Sequence, residues 1–438
     1  MLMRIAALAV GFTLSLAACR TPPSSEPSMN EIAEQYVRLV LAVGQHDPDY
    51  VDAYYGPESW RTEAEAARAT LDQVAADAER LLSDLARTVL PEDAQALLVL
   101  RKDYLRSQLE ALGARVRMLS GERLTFDEES RALYGVVAPT YPESHFEAAL
   151  DELDRLLPGT GRIGERYEAF RERFVIPADR LDDVFTLAID ECRRRTLPFV
   201  GLPSDERFTV EYVTDKPWSG YNWYQGGFQS VIQVNTDLPI HIDRAVDLAC
   251  HEGYPGHHVY NALLEQHLVR DRDWVEYSVY ALFSPQSMIA EGTANYGIDV
   301  AFPGDERVTF ERDVLFPAAG LDGDTASEFY EVQALVQQLD YAGNEAARRY
   351  LDGEIDRAAA VEWLTRYAMA SPARAEQRTR FYDRYRSYVI NYNLGRDLVK
   401  QFVEARAGGG GDDARWREFT ALLASPRLPS GLETVSTD

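Results

Sequence analysis

Apolar residues recur every three or four positions through most of the chain, and this spacing predicts amphipathic helices. The first clear example follows Asn30, a candidate helix N-cap, and consists of Ile32, Tyr36, Leu39, Val40 and Val43. The same spacing continues through four further segments, at about 61–118, 127–137, 143–157 and 178–196. The first half of the chain is therefore predicted to be a set of helices joined by short breaks.

Only two segments alternate apolar and polar residues in the manner of a half-buried strand. The alternation is clear at 207–213, with Phe208, Val210 and Tyr212, and looser at 228–234. After Pro239 the helical spacing returns and continues to about Ala424. The predicted fold class is mainly α, a large helical body with a small β element before the polar cluster described below. We expect a helical lobe at 30–200 and a second body at 201–425 around a cleft, followed by a tail at 426–438.

The N-terminus has the pattern of a secretory signal. Arg4 precedes an uncharged run, 5–16, that is too short to span a bilayer. The run ends in Leu16-Ala17-Ala18-Cys19, which resembles a bacterial lipobox. We expect a signal peptide at 1–18, a lipidated Cys19 and an extended tether at 19–29, with an ordinary signal peptide as the alternative.

Lipid on Cys19 would hold the body to a membrane on its periplasmic side, because no later stretch is long and apolar enough to cross a bilayer. Arg20, rather than Asp, follows the cysteine, and this favours the outer membrane by similarity to the sorting pattern of Gram-negative lipoproteins. Cys192 and Cys250 remain, and the sequence is compatible with a disulfide between them or with two separate buried thiols.

The charge balance excludes one class of partner. The chain has 71 Asp and Glu against 45 Lys and Arg, a net charge of -26, spread along its whole length. Nucleic-acid binding needs a basic face, so we expect no nucleic-acid partner. The 46% hydrophobic content supplies enough apolar side chains for a folded core.

Five of the seven histidines lie between 241 and 267, a clustering typical of metal sites. His257 and His258 follow His251-Glu252 in an arrangement close to the motif His-Glu-x-x-His. In that motif, two histidines four residues apart bind zinc, and the glutamate contacts the water molecule bound to the metal. Here Pro255 stands where the second histidine should be. In a regular helix His257 would point about 120° away from His251, and His258 would lie about 10 Å along the axis. Pro255 and Gly256 must therefore allow a bulge that returns a histidine to the metal.

The motif His251-Glu252-Gly253-Tyr254-Pro255-Gly256-His257-His258 resembles the signature of the DUF885 family of bacterial proteins, many of which are lipoproteins. Two other segments are similar to family motifs, namely Glu291-Gly292-Thr293-Ala294-Asn295-Tyr296 and Tyr392-Asn393-Leu394-Gly395. The resemblance covers about 220–400. It implies a relative of the gluzincin metallopeptidases, whose third zinc ligand is a glutamate on a later helix.

The resemblance implies one zinc ion per chain, bound by His251, His257 and Glu291. It favours His257 over His258 as the second ligand, which would leave His258 to contact substrate or to support the site. Glu252 is the expected general base.

Either Asn295 or Asp247 would hold a ligating histidine ring by its second nitrogen. Both lie four residues from an expected ligand, Asn295 from Glu291 and Asp247 from His251. The sequence leaves this alternative open.

Zincins bind substrate along an edge strand beside the metal helix. The segment containing Gly227 and Phe228 is the candidate for this strand, since glycine permits close approach of a substrate backbone. Tyr392 is the candidate donor to the oxyanion, with Tyr388 and His241 behind it. Arg396 would pair with a peptide carboxylate or be a solvated helix charge.

The expected function is that of a lipid-anchored zinc metallopeptidase that cleaves short peptides. Two histidines and a carboxylate also describe iron oxygenases, but a glutamate directly after the first histidine favours hydrolysis. A third alternative is a non-catalytic lipoprotein with a structural metal site. Such a site would need a fourth protein ligand, for which His258 is the candidate.

Overall fold

The computed structural model describes residues 27–91 and 94–432. The predicted signal peptide and Cys19 lie outside the described residues, as does the end of the predicted tail. Helices account for 66% of the described residues, which confirms the mainly α prediction. Among the described residues, no helix is long and apolar enough to cross a membrane.

Nineteen α-helices are present in the described ranges: α1 Met29–Gly44, α2 Glu58–Ala67, α3 Leu71–Arg87, α4 Ala96–Leu119, α5 Phe126–Tyr134, α6 Glu143–Leu156, α7 Ile163–Glu172, α8 Leu181–Thr196, α9 Asp243–Leu248, α10 His257–Leu264, α11 Pro285–Ala301, α12 Glu306–Phe310, α13 Phe316–Ala319, α14 Ala326–Gln337, α15 Ala342–Leu351, α16 Arg357–Tyr367, α17 Pro372–Tyr385, α18 Ile390–Ala407 and α19 Gly411–Leu423. The predicted segment 61–118 contains three of them, α2 to α4. Helix α7, for which no segment was predicted, is short and buries only Tyr167 and Phe170.

The first helix begins earlier than expected. Ser28, not Asn30, is the N-cap of α1, because the Ser28 hydroxyl accepts from the backbone N–H of Glu31 while the Glu31 carboxylate accepts from the backbone N–H of Ser28. This reciprocal arrangement is a capping box. The Asn30 side chain instead accepts a hydrogen bond from Arg101 at 2.7 Å.

Within the described residues, five strands form two small sheets: β1 Val51–Tyr54, β2 Arg207–Val213, β3 Gly220–Gly226, β4 Gln229–Asn235 and β5 Val279–Ala281. Strands β2 and β4 are the two predicted ones. They flank each other in a three-stranded sheet of order β2-β4-β3, in which β2 is parallel and β3 antiparallel to β4. Strands β1 and β5 form a separate antiparallel pair. The short strands β1 and β5 do not alternate apolar and polar residues clearly, and β3 combines glycine with polar and aromatic residues. The sequence pattern therefore predicted none of these three strands.

The helices that carry the metal motif are in the core. Helix α11 packs along α18 through glycines: a Cβ placed on Gly292 would lie 2.5 Å from the carbonyl oxygen of Gly395. Only the absence of both side chains permits this approach. Almost every residue of α11 is buried, so the helix that bears Glu291 is held on several sides.

Candidate metal centre

The chain leaves the regular helix at the first histidine. After α9 a π-helical turn spans Ala249–Gly253, and the backbone N–H of Tyr254 donates to the carbonyl of Ala249 at 3.1 Å. Pro255 has no N–H, and the N–H of Gly256 reaches back to the carbonyl of Cys250 at 2.9 Å. A new helix, α10, then starts at His257. The expected distortion is present, as a wide turn followed by a restarted helix.

Gly256 is indispensable to this turn for a steric reason. A Cβ on this residue would lie 1.9 Å from the carbonyl oxygen of His251, far inside van der Waals contact. The wide turn and this close backbone crossing bring His257 back beside His251, where a regular helix would have separated them.

Three side chains meet at one point: His251, His257 and Glu291. The Nε2 atoms of the two histidines are 3.1 Å apart, and Glu291 Oε2 lies 3.2 Å from His251 Nε2 and 3.7 Å from His257 Nε2. Two ligands bound to zinc at 2.0–2.1 Å in a tetrahedral arrangement lie about 3.3 Å from each other. The three separations therefore match a shared zinc ion.

The state of Glu291 supports this fit. Its Oε1 accepts a hydrogen bond from the Tyr388 hydroxyl at 2.7 Å, whereas its Oε2 is buried and has no hydrogen-bond partner in the described structure. Burial would raise the pKa of Glu291, but the facing rings of His251 and His257 lower it below its ordinary value. An ionised, unpartnered oxygen facing two imidazole nitrogens is what a cation site requires.

A hydrogen bond determines the tautomer of His251. The Asn295 amide donates through Nδ2 to the carbonyl of Tyr392 at 3.1 Å, so its Oδ1 faces the Nδ1 of His251, also at 3.1 Å. An amide oxygen only accepts, so Nδ1 carries the proton and the lone pair of Nε2 points into the cluster. Asp247, the other candidate for this role, instead pairs with Arg244 and Arg307, each at 2.8 Å.

His258 lies outside the cluster. It is completely buried, with Nδ1 2.8 Å from the hydroxyl of Ser230 and Nε2 2.9 Å from the carboxylate of Glu206. Tyr254 also donates to Glu206, at 2.6 Å. Both nitrogens of His258 are thus used inside the protein, and the ring is available neither to the metal nor to substrate. Of the two candidate histidines, only His257 joins His251 and Glu291.

Glu252 faces the cluster from the strand side. Its backbone carbonyl accepts from Asn222 at 2.7 Å, and its Oε1 would lie 2.7 Å from a Cβ on Gly220, so the carboxyl rests against β3. Burial raises the pKa of Glu252 to about 7; the His257 ring lowers it and the Glu291 charge raises it further. The carboxyl is therefore within electrostatic reach of His257 and Glu291, two of the three expected ligands.

Tyr392 lies beside His251. Its ring stacks on His251 with centroids 6.5 Å apart, and no hydrogen-bond partner for its hydroxyl occurs within the described ranges. Burial, then the charges of Glu291 and Glu252, raise the pKa of Tyr392 well above its usual value. The hydroxyl thus keeps its proton and remains a free donor.

The segment that contains Gly227 and Phe228 was expected to form the substrate-binding edge strand, and this expectation was wrong. Gly227 and Phe228 form the turn between β3 and β4, and their backbone N–H groups donate to the carboxylate of Glu265 at 3.1 and 3.3 Å. Strand β4 is paired on both sides, so it has no free edge. Strand order places β4 in the middle of the sheet, so the edge strand that adjoins Glu252 is β3. Local patterning does not encode strand order.

Two other predicted residues are engaged elsewhere. Arg396 pairs with Asp299 on α11 at 2.8 Å, so it is neither a free partner for a peptide carboxylate nor an unpaired surface charge. His241 is buried, and its Nδ1 lies 3.0 Å from the guanidinium of Arg171. Neither touches the three-residue cluster.

One residue of the site was missed by sequence analysis. Asp52 in β1 is half-buried, and burial raises its pKa to about 7; the His257 ring lowers this value and the Glu291 charge raises it. Its backbone carbonyl also accepts from the Tyr221 hydroxyl at 3.2 Å. No motif surrounds Asp52, and only the pairing of β1 with β5 brings it to the centre.

The two remaining cysteines are free and buried neighbours. Burial, and then the adjacent thiol of Cys250, raise the pKa of Cys192 well above its usual value. They are thiols in this structure, packed where α8 meets the π-helical turn.

Comparison with known proteins shows the fold alone. No family model matches the chain, and no curated protein matches it. Among solved structures it is similar to a protein from Colwellia psychrerythraea described as a lipoprotein, with 17% identity over 93% of this chain and 76% of that chain and a TM-score of 0.50.

Two further similarities are weaker. A protein from Shewanella oneidensis described as a lipoprotein of unknown function has 14% identity over 94% of this chain and 88% of that chain, with a TM-score of 0.44. An M32 carboxypeptidase from Deinococcus radiodurans R1 has 14% identity over 90% of this chain and 88% of that chain, with a TM-score of 0.38. Neither score supports an argument. The chain therefore has a mainly α fold similar to that of the Colwellia protein.

Proposed function

We propose that this protein is a zinc-dependent metallohydrolase, most specifically a peptidase that cleaves short peptides. One observation carries the proposal: Oε2 of Glu291, buried and unpartnered, converges with the Nε2 atoms of His251 and His257 at separations suited to zinc. The similarity of the motifs to DUF885 supports the same assignment.

Four residues near the cluster have a proposed role in hydrolysis. A zinc ion held by His251, His257 and Glu291 would polarise a substrate carbonyl and make water more acidic. Glu252, which faces the cluster, would take the proton from the attacking water and give it to the leaving amine. The free hydroxyl of Tyr392 donates to the oxyanion that develops on the carbonyl oxygen. Tyr388 and Asn295 keep Glu291 and His251 in position.

A structural metal site is less well supported. Structural zinc is usually closed by four protein ligands, whereas three candidate ligands converge here among the described residues. His258, the candidate fourth ligand, is bonded to Ser230 and Glu206 instead. The same three ligands would also suit iron, and the placement of Glu252 beside them favours hydrolysis.

The proposed location is the periplasmic face of the outer membrane, where lipid on Cys19 would hold the folded body. The lipobox-like end of the N-terminal apolar run supports this proposal. Peptides are the proposed partners, and no nucleic-acid partner is proposed.

The decisive experiment is elemental analysis of the purified protein beside its His251→Ala and Glu291→Ala variants, combined with a peptide-library cleavage assay. We expect about one zinc per chain, lost in both alanine variants. Glu252→Gln is the matched control, because it should keep the zinc and lose cleavage. If the protein holds no metal when zinc is supplied in excess, the site is refuted. Iron in place of zinc would favour the oxygenase alternative.

A further inference from the structure

A group of arginines lies beside the candidate metal centre and takes no part in the roles above. Arg171 in α7, Arg244 in α9 and Arg374 in α17 come from three separate helices. Arg244 and Arg374 line one cavity, together with Ser219, Leu248 and Gln377. Arg171 reaches the same region through its contact with His241.

The positive charge of this group is only partly compensated. Arg244 pairs with Asp247 at 2.8 Å, but the guanidinium of Arg374 has no hydrogen-bond or ion-pair partner in the described part of the chain. The Nε of Arg171 is buried and also has no partner. The carboxylate of Asp243 also acts on Arg374, but Asp243 forms no ion pair with a described residue, and its Oδ1 likewise has no hydrogen-bond partner among them.

The mutual repulsion is visible in two pKa values. Burial, followed by the charges of Arg244, Arg171 and Arg378, lowers the pKa of Arg374 to about 10, and Asp243 offsets only part of this effect. Burial, followed by Arg171, Arg374 and Arg244, lowers the pKa of His241 to about 3. A half-buried cation among like charges is unfavourable unless an anion joins it. In a chain with a net charge of -26, this concentration of arginine is a local exception.

The cavity borders the catalytic side of the site. Ser219 lines it and precedes Gly220, against which both the Leu248 side chain and the Glu252 carboxyl rest: a Cβ on Gly220 would lie 2.6 Å from the first and 2.7 Å from the second. Arg244 precedes His251 by seven residues along α9 and the π-helical turn, a separation of at most about 10 Å along the axis. An extended peptide covers this distance with about three residues.

We propose that Arg374, with Arg171 and Arg244, forms a subsite that binds a carboxylate of the peptide substrate beside Glu252. The inference rests on the proposed function and deepens it, since it assigns the substrate class: peptides with a carboxylate a few residues beyond the scissile bond. Guanidinium groups suit this ligand because their planar N–H donors match the two oxygens of a carboxylate. The carboxylate belongs either to the peptide C-terminus or to an Asp or Glu side chain.

Equilibrium binding tests the subsite without relying on turnover. Three fluorescent pentapeptides would be titrated into zinc-loaded Glu252→Gln protein: one with a free C-terminus and no acidic residue, the same peptide amidated, and an amidated version with one Glu near its end. We expect a peptide that carries the recognised carboxylate to bind about ten- to a hundredfold more tightly than the neutral amide. Comparison of the two carboxylate peptides distinguishes the terminus from the side chain.

The second substitution Arg374→Gln should remove this difference in affinity. Arg380→Gln is the matched control, because Arg380 is an exposed residue of the same helix and its loss changes net charge equally. Arg374→Lys keeps the charge without the planar fork, and it should retain part of the preference. This variant also serves if Arg374→Gln proves unable to fold.

Equal affinities for the three peptides, or no binding of any of them, would overturn the inference. A preference for carboxylate that survives Arg374→Gln would overturn it as well, because the anion would then bind elsewhere. The proposed function fails separately: carboxylate-dependent binding with no cleavage by the unsubstituted protein leaves the subsite standing and removes the peptidase. Cleavage of the carboxylate and amide peptides at equal rates would support the peptidase and overturn the subsite.

Discussion

At the scale of single residues, the candidate centre depends on neighbours that orient its ligands. Asn295 accepts from Nδ1 of His251 only because its own amide nitrogen is held by the carbonyl of Tyr392. Tyr388 holds one oxygen of Glu291 and leaves the other free. Asn295 and Tyr388 therefore position the ligands, whereas Tyr392 is expected to contact substrate. Measurements of zinc affinity and kcat separate the two roles.

Replacement of Asn295 by alanine should weaken zinc binding roughly 10- to 100-fold, because the His251 ring loses the partner that holds its tautomer and orientation. Competition with a chelating dye measures this affinity. Asn261→Ala is the control, since Asn261 lies on α10 and its side chain makes no hydrogen bond within the described ranges. Unchanged zinc affinity in Asn295→Ala would contradict the role assigned to the amide.

Replacement of Tyr392 by phenylalanine should lower kcat about 100-fold or more and leave zinc content unchanged, since it removes only a donor to the developing oxyanion. Tyr388→Phe should show the opposite pattern, with weaker zinc binding, because it removes the hydrogen bond to Glu291. Steady-state kinetics and zinc titration on both variants give the comparison. Loss of zinc in Tyr392→Phe would assign this residue to positioning instead.

At the scale of elements, two local features bring the ligands together: the wide turn at Ala249–Gly253 and the close crossing of α11 and α18. The turn brings His257 beside His251, and the crossing places Glu291 next to Tyr388 and Tyr392. Both depend on glycine. Proline and glycine in the motif indicated the first feature, but the pairing of Gly292 with Gly395 involves residues about a hundred positions apart and is visible only in the structure.

Gly292→Ala should reduce the free energy of unfolding by about 1–3 kcal/mol, because the new methyl group would lie 2.5 Å from the carbonyl oxygen of Gly395. Urea unfolding followed by circular dichroism measures the change. Gly113→Ala in α4 is the control: the nearest atom to its Cβ is the flexible end of Arg117 at 3.8 Å. Alanine there should be neutral or stabilise the helix by up to about 1 kcal/mol. Equal effects of both substitutions would contradict close packing at Gly292.

At the scale of the whole molecule, early helices and the metal-bearing region are joined by buried polar contacts. Arg101 in α4 forms a buried ion pair with Glu276, at 2.6 Å, and Tyr104 donates to Gln286 at 2.7 Å. Strand β1 pairs with β5 and so crosses the boundary expected near residue 200. The division into two lobes stays a prediction, and these contacts make the first lobe part of the support of the site.

Glu276→Gln should destabilise the protein by about 3–5 kcal/mol, because it leaves the charge of Arg101 buried without a counter-ion. Urea unfolding is again the measurement, here by tryptophan fluorescence. Glu110→Gln provides the matched control, since it removes the same charge from the exposed pair that Glu110 forms with Arg106 on α4. That change should cost about 1 kcal/mol or less. A small effect at Glu276 would mean that water reaches Arg101.

The amino-acid sequence was sufficient to predict the helical class, two of the five described strands and the chemistry of the expected ligands, because spacing along the chain encodes which residues share a face. It indicated His251, Glu252, His257 and Glu291, since each belongs to a short motif.

The remaining assignments required the folded structure. It selected His257 over His258 and Asn295 over Asp247, and it showed that β3, not β4, is the edge strand beside Glu252. It also brought Asp52 near the expected metal ligands and grouped Arg171 and Arg244 with Arg374. These choices depend on which distant segments pair and on which buried charges find partners first. Such competition among residues far apart in the chain leaves no mark on local spacing.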